Sequence, residues 1–245
     1  MAEKEAALFS PEHIRLASEV IKKFQEIVGD EVLIMAQYGS IVSRNDPQRT
    51  LAGRFPMNGE NLQDSKNGKN RVVIYNRGMD TTIPHRVSTP DRFVDNFSGT
   101  VVHEITHGGS FVRIFADLAR NRQFILEWKK EFGWKSVFAN VKNHTTGEWE
   151  KSKIPAEGWK KNDGGYWQKG EYVVTEEEYT DLPERCIGGS KGYAASVGPQ
   201  EDICDSITAY LLNPDALVPK KRQFIEKWLA ENKSNLDSGT KREYH

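Results

Sequence analysis

The chain has 245 residues, of which 34 are basic and 35 acidic, for a formal net charge of −1. So even a balance sets up no broad positive field, which argues against nucleic acid or a membrane surface as partner, and the length is enough to bury a full core as one domain or as two lobes around a cleft. No apolar run approaches the roughly eighteen residues of a membrane span, the start from Met1 to Ser10 lacks the basic-then-apolar order of a signal peptide, and Cys186 and Cys204 are too few for a disulfide scaffold; the expectation is a cytoplasmic protein, or one secreted without a leader or processed from a secreted form.

In chain order, Ser10-Pro11 opens a helix that carries Ile14, Ala17, Val20, Ile21, Phe24 and Val28 on one face and stops at Gly29. Val32 to Ile34 and Arg71 to Tyr75 read as short strands separated by a polar stretch rich in Asn, Gly and Asp. Thr89, Pro90 and Asp91 then read as the cap, first-turn proline and first-turn acid of a second helix. Along it Phe93, Val94, Phe97, Val101, Val102 and Ile105 recur at three- and four-residue intervals, until Gly108 and Gly109.

Inside that helix stands His103-Glu104-Ile105-Thr106-His107, an H-E-x-x-H run. Residues i and i+4 share a helix face, so the two imidazoles can present nitrogens to a single Zn²⁺, with Glu104 alongside to act on its water. The plain alternative is two polar positions on a solvated face. Zinc needs a third protein ligand. The metzincin extension would require Gly at Ser110 and His at Arg113, so the ligand must come from elsewhere.

Between about Gly133 and Gly192 the composition changes: Trp134, Trp149, Trp159, Tyr166, Trp167, Tyr172 and Tyr179 alternate with Lys, Glu and Gly. Asp163-Gly164-Gly165 and Lys169-Gly170 mark turns, and Tyr172-Val173-Val174 reads as a strand, so a small β-rich insertion is expected. Its aromatics suit a compact local core better than a stacking surface for sugars or bases. Gly198-Pro199 then opens a third long helix through Ile207, Tyr210 and Leu211 to Asn213-Pro214. Glu201 and Asp205 lie i and i+4 on it. Glu201 can therefore ligate the metal while Asp205 accepts the Nδ1 hydrogen of a ligand histidine, His103, and fixes its tautomer. Asp202 is the nearest competitor for the third ligand; Cys204, three residues past Glu201, is the weaker candidate. Phe224, Ile225, Trp228 and Leu229 give a last packing helix over Lys220 to Glu231, with fraying from Ser234.

The pairing of H-E-x-x-H with a distant E-x-x-x-D resembles the gluzincin branch of the zincin metallopeptidases. The run from Tyr193 to Asp202 further resembles the lethal-factor-like and Pro-Pro-endopeptidase-like members, in which a tyrosine several residues before the ligand glutamate faces the metal. The resemblance covers about residues 89–110 and 190–216. It implies one Zn²⁺ per chain on His103, His107 and Glu201, Glu104 as general base, Tyr193 as hydrogen-bond donor to the developing oxyanion, and peptide-bond hydrolysis. It also implies an edge strand above the metal that pairs with extended substrate, for which Val73, Ile74 and Tyr75 are the candidates. The expected fold is α+β and zincin-like: a single catalytic domain over 1–235, with an N-terminal α/β lobe over about 1–110, the active-site helix, the insertion over about 133–192, a mainly helical part over about 196–232 and a flexible tail, 236–245. A peptide or protein substrate is the expected partner, and the chain is expected to be a monomer. Two other classes fit the residues: a zinc hydrolase acting on a bond other than a peptide, and an inactive zincin fold that binds a glycan or protein partner.

Overall fold

The computed structural model describes residues 9–28, 42–44, 58–63, 70–107, 118–142, 149–153, 160–161, 167–169, 172–180, 186–187, 194 and 198–237. The strand expected at Val32 to Ile34, and Tyr193, lie outside the described residues. Helix and sheet are mixed in an α+β manner, and the chain divides into two compact units, one formed by residues 1–124 and 203–245 and the other by 125–202.

The first unit begins with α1 (Pro11–Val28). Ser10 and His13 cap its start reciprocally: the His13 amide donates to Ser10 Oγ at 3.3 Å and the Ser10 amide to His13 Nδ1 at 3.2 Å, with Pro11 at the position where a missing N–H costs nothing. Val20 and Phe24 are buried and Ile14 is exposed, so the inward stripe is narrower than its apolar residues suggest. A three-stranded sheet follows in the order β1-β3-β2, from β1 (Val42–Arg44), β2 (Gly59–Gln63) and β3 (Asn70–Tyr75). Strand β3 pairs in parallel with β1 and antiparallel with β2.

This topology corrects the expected substrate strand. Val73, Ile74 and Tyr75 sit in the central strand, with both hydrogen-bonding edges taken and their side chains buried. A peptide cannot add to an edge that is already paired. The Tyr75 hydroxyl instead donates to the Glu60 carboxylate on β2.

Helix α2 (Asn96–His107) packs against α1, β2 and β3 and is buried on every side from Asn96 to Thr106. Its start lies seven residues beyond Thr89. Thr89 and Arg92 exchange backbone bonds at 3.0 and 3.1 Å, which closes Pro90 and Asp91 into a tight turn, and Asp95 Oδ1 accepts the Ser98 amide at 2.7 Å as the real cap. Phe93, counted into the apolar stripe, follows that turn, precedes the helix and is exposed. Fully buried Phe97, Val101 and Val102 each contribute on the order of 1.5–3 kcal/mol of transfer free energy and hold the helix at a fixed rotation.

Helix α3 (Leu118–Glu131) crosses from one unit into the other. In the first unit its Phe124 ring meets Phe224 and Trp228 of the last helix at 5.7 and 4.6 Å between centroids. It ends in a Schellman turn: Trp134 N–H bonds Lys129 O at 2.8 Å and Gly133 takes φ 71°, a conformation that favours glycine. The second unit then forms an antiparallel five-stranded sheet, order β5-β4-β8-β7-β6, from β4 (Lys135–Lys142), β5 (Trp149–Lys153), β6 (Lys160–Lys161), β7 (Trp167–Lys169) and β8 (Tyr172–Thr180). It occupies the stretch that reads as a β-rich insertion.

In helix α4 (Pro199–Leu212) the Asp202 amide donates the first bond of the ladder to Gly198 O at 3.2 Å, and Pro199 stands at the first helical position. Gly198 has φ 146°, accessible in practice to glycine alone, and this fixes where the first turn begins. At the far end Asn213, fully buried, donates to Val87 O at 2.8 Å and to Thr89 Oγ1 at 3.3 Å, tying α4 to the turn that precedes α2. A 3₁₀ turn (Pro214–Ala216) leads to α5 (Pro219–Asp237). Helix α5 runs past Ser234, where fraying was expected; Ala230, Glu231, Lys233 and Leu236 are all good helix formers. Among the described residues no helix is long and apolar enough to cross a membrane.

Candidate metal centre

On α2 the four-residue spacing brings His107 Nε2 to 3.0 Å from His103 Nε2, with ring centroids 4.7 Å apart and planes at 72°. Two nitrogens each about 2.0–2.1 Å from one tetrahedral ion would stand roughly 3.3–3.4 Å apart, so the pair already converges at close to ligand spacing. Cys204, from the second turn of α4, completes the group: its sulfur and the two imidazole nitrogens all lie within 4.8 Å of one another. His103 and Cys204 are buried and His107 is half-buried, which leaves the histidine end of the group nearest to solvent. A buried His103, His107 and Cys204 set of this kind can hold a metal ion, and its mixture of imidazole and thiol suits borderline ions better than hard ones.

Asp205 stands behind His103. Its Oδ1 lies 3.0 Å from His103 Nδ1, and the carboxylate is fully buried. That separation is within hydrogen-bonding distance. A carboxylate there favours the proton on Nδ1 and leaves the lone pair on Nε2, the nitrogen that faces His107. Arg86 reaches the same carboxylate, Nε to Oδ1 at 3.4 Å and Nη1 to Oδ2 at 3.5 Å, and offsets part of the cost of burying it. Asp205 thus stands against the histidine named for it in the sequence reading.

Glu104 is buried at 7 % exposure in the same turn as His103. It packs beneath β2: a methyl group added at Gly59 would come within 2.9 Å of Glu104 Cγ and of Thr100 Cγ2, so only glycine lets the strand approach α2 this closely. His85 packs against Gly99, one turn before His103, and is 2 % exposed. Burial above all, then the charges of Arg86 and His103, hold its imidazole well below the ordinary histidine range, so it is neutral at physiological pH.

The remaining sequence candidates fall in different places. Asp202 is buried and turned away from the ligand role: its Oδ2 accepts the indole N–H of Trp128 at 2.9 Å and of Trp134 at 3.3 Å, within the second unit. Glu201 is half-buried in the first turn of α4, on the second unit's part of that helix, and is not one of the three clustered donors. Tyr193 lies outside the described residues.

The sequence reading ranked Cys204 behind Glu201 and left Arg86 and His85 aside. For Cys204 a signal was present: positions i+3 and i+4 flank the face of position i, so Cys204 and Asp205 belong to the stripe that starts at Glu201 rather than to another part of the turn. Arg86 gave none, since it is 119 residues from its partner. Set against family models, curated proteins and solved structures, the chain matches none.

Proposed function

We propose that this chain is a zinc-dependent metallopeptidase of the zincin type, holding one Zn²⁺ and hydrolysing peptide bonds. The observation that carries the reading is the convergence of His103 and His107 Nε2 at 3.0 Å on a buried helix with Glu104 between them. When bound, an ion of this kind supplies Lewis acidity and a water whose pKa falls to about 7.

The chain's own residues then have distinct tasks. His103 and His107 hold the ion through Nε2, and Asp205, backed by Arg86, keeps His103 in the tautomer that allows it. Glu104 accepts the proton of the attacking water and returns it to the leaving nitrogen. The resemblance to the gluzincins adds Glu201 as third ligand and Tyr193 as donor to the oxyanion, a term worth about 3 kcal/mol where such donors have been removed from other enzymes. Strand β2, an outer strand of the three-stranded sheet among the described residues, lies against Glu104 through Gly59 and is the place where an extended peptide would add.

The test is mass spectrometry of products from a mixed peptide library incubated with the zinc-loaded chain. Cleavage that disappears on chelation and returns with zinc supports the proposal. Bound zinc with no cleaved peptide would instead favour a hydrolase acting on another carbonyl or a binding protein built on the same site.

A further inference from the structure

We infer that the Thr100 hydroxyl is a positioning group for the general base: in the reacting complex it donates a hydrogen bond to one oxygen of the Glu104 carboxylate and aims the other at the attacking water. This rests on the peptidase reading above and deepens it by one residue of the same helix.

Two observations carry it. The first is the bond that Thr100 gives up. A hydroxyl buried on a helix can return to the carbonyl four residues back, as Thr106 does to Val102 O at 2.8 Å and Thr208 to Cys204 O at 2.7 Å. Thr100 is 2 % exposed, yet its Oγ1 has no hydrogen-bond partner among the described residues. A valine has the same shape and would avoid the cost of burying that group. The second observation is where Thr100 stands. It precedes Glu104 by four residues and so shares its helix face. Thr100 Cγ2 and Glu104 Cγ each lie 2.9 Å from the point that a methyl group on Gly59 would occupy, so the two side chains meet beneath the same place on β2. The carboxylate is one carbon beyond that Cγ, and Oγ1 shares its Cβ with the methyl group that faces Gly59.

The chemistry follows from the count of oxygens. An ionised carboxylate has two, and one is enough to take a proton from water. A donor on the other stops rotation of a flexible side chain, which orients the base without tightening the hold on substrate. The threonine keeps its own proton throughout; Glu104 takes one from water and passes it to the leaving nitrogen. Contacts of this kind are often long in the resting protein and close when the reactants are in place.

The experiment compares Thr100→Val and Thr100→Ser with the wild type in the full, zinc-loaded chain. Zinc content, the urea midpoint, and kcat and KM are measured, the last two on a fluorescence-quenched peptide made to a library sequence that the wild type cleaves. Thr100→Val should keep its zinc and unfold at the same or a higher urea concentration, because a buried hydroxyl with no partner has been removed. Its kcat should fall by about 10- to 100-fold with KM unchanged, the scale of a hydrogen bond to a charged group made only in the transition state. Thr100→Ser should restore most of that loss, and Thr100→Ala makes the same comparison if the valine variant does not fold. A purely structural hydroxyl would give the reverse, a lower midpoint with kcat intact, and would overturn the assignment. So would a full kcat in folded Thr100→Val, or a loss that serine does not restore. A wild-type chain that holds zinc and cleaves no peptide would overturn the peptidase reading itself, and with it the base that Thr100 serves.

Discussion

Helices α2 and α4 carry the candidate site residues, and they position them by opposite means. Helix α2 is buried on all sides, and its apolar residues Phe97, Val101 and Val102 set its rotation, leaving His103 and His107 to converge as a consequence of spacing. Helix α4 carries four ionisable side chains within five residues, Glu201, Asp202, Cys204 and Asp205, and the last three meet different partners. Asp202 accepts two indoles, Asp205 faces His103 and Arg86, and Cys204 joins the histidines. A motif on a packed helix states its chemistry outright, whereas a polar cluster on a helix shared between environments has to be sorted by its partners.

Substitutions can separate the two. Glu104→Gln keeps the size of the side chain and removes the proton acceptor from α2; zinc content should be unchanged and turnover should fall by at least about 10²-fold. Near-normal turnover of the zinc-loaded variant would remove Glu104 from the mechanism. On α4, Asp205→Ala takes away the group behind His103 and should weaken zinc affinity by about 10- to 100-fold, measured by competition with a chelator. An unchanged affinity would show that the 3.0 Å contact does nothing for the ligand.

Asp202→Ala should act on stability alone. Removing the shared acceptor of two buried indoles costs about 1–3 kcal/mol in urea unfolding with zinc stoichiometry intact. Lost zinc with unaltered stability would make Asp202, and not its neighbours, the ligand. The smallest effect is expected at His85, whose imidazole is depressed by burial first and by Arg86 and His103 next. The unfolded chain takes up a proton near the ordinary value of 6.5 that the folded chain refuses. Stability of the metal-free protein should therefore be complete above about pH 6.5 and decline below it, by at most about 1.4 kcal/mol per pH unit, until the depressed folded value is reached. His85→Gln should flatten that acid limb; an unaltered slope would mean that the buried ring is not its source.

These contrasts also explain what could be read from the residues. The start of α1 follows from Ser10 and Pro11 because a cap is a local signal. The start of α2 does not, since Thr89-Pro90-Asp91 satisfies the same local rules in a tight turn, and Asp95 prevails only through its bond to the Ser98 amide. The Asp205 to His103 contact was legible because helix spacing constrains both partners. The central place of β3 was not: a strand's neighbours are decided by pairing with β1 and β2, which a run of apolar residues such as Val72-Val73-Ile74 does not encode. Arg86 and the Trp128 and Trp134 indoles are long-range partners and left no trace in the local pattern.

The most direct measurement is the metal content of the purified full chain and of its His103→Ala and His107→Ala variants by mass spectrometry of the element. One zinc ion per chain in the wild type, lost from both folded variants, is the predicted result. Wild-type protein that takes up no zinc when supplied with it, or histidine variants that keep a full complement, would contradict the account.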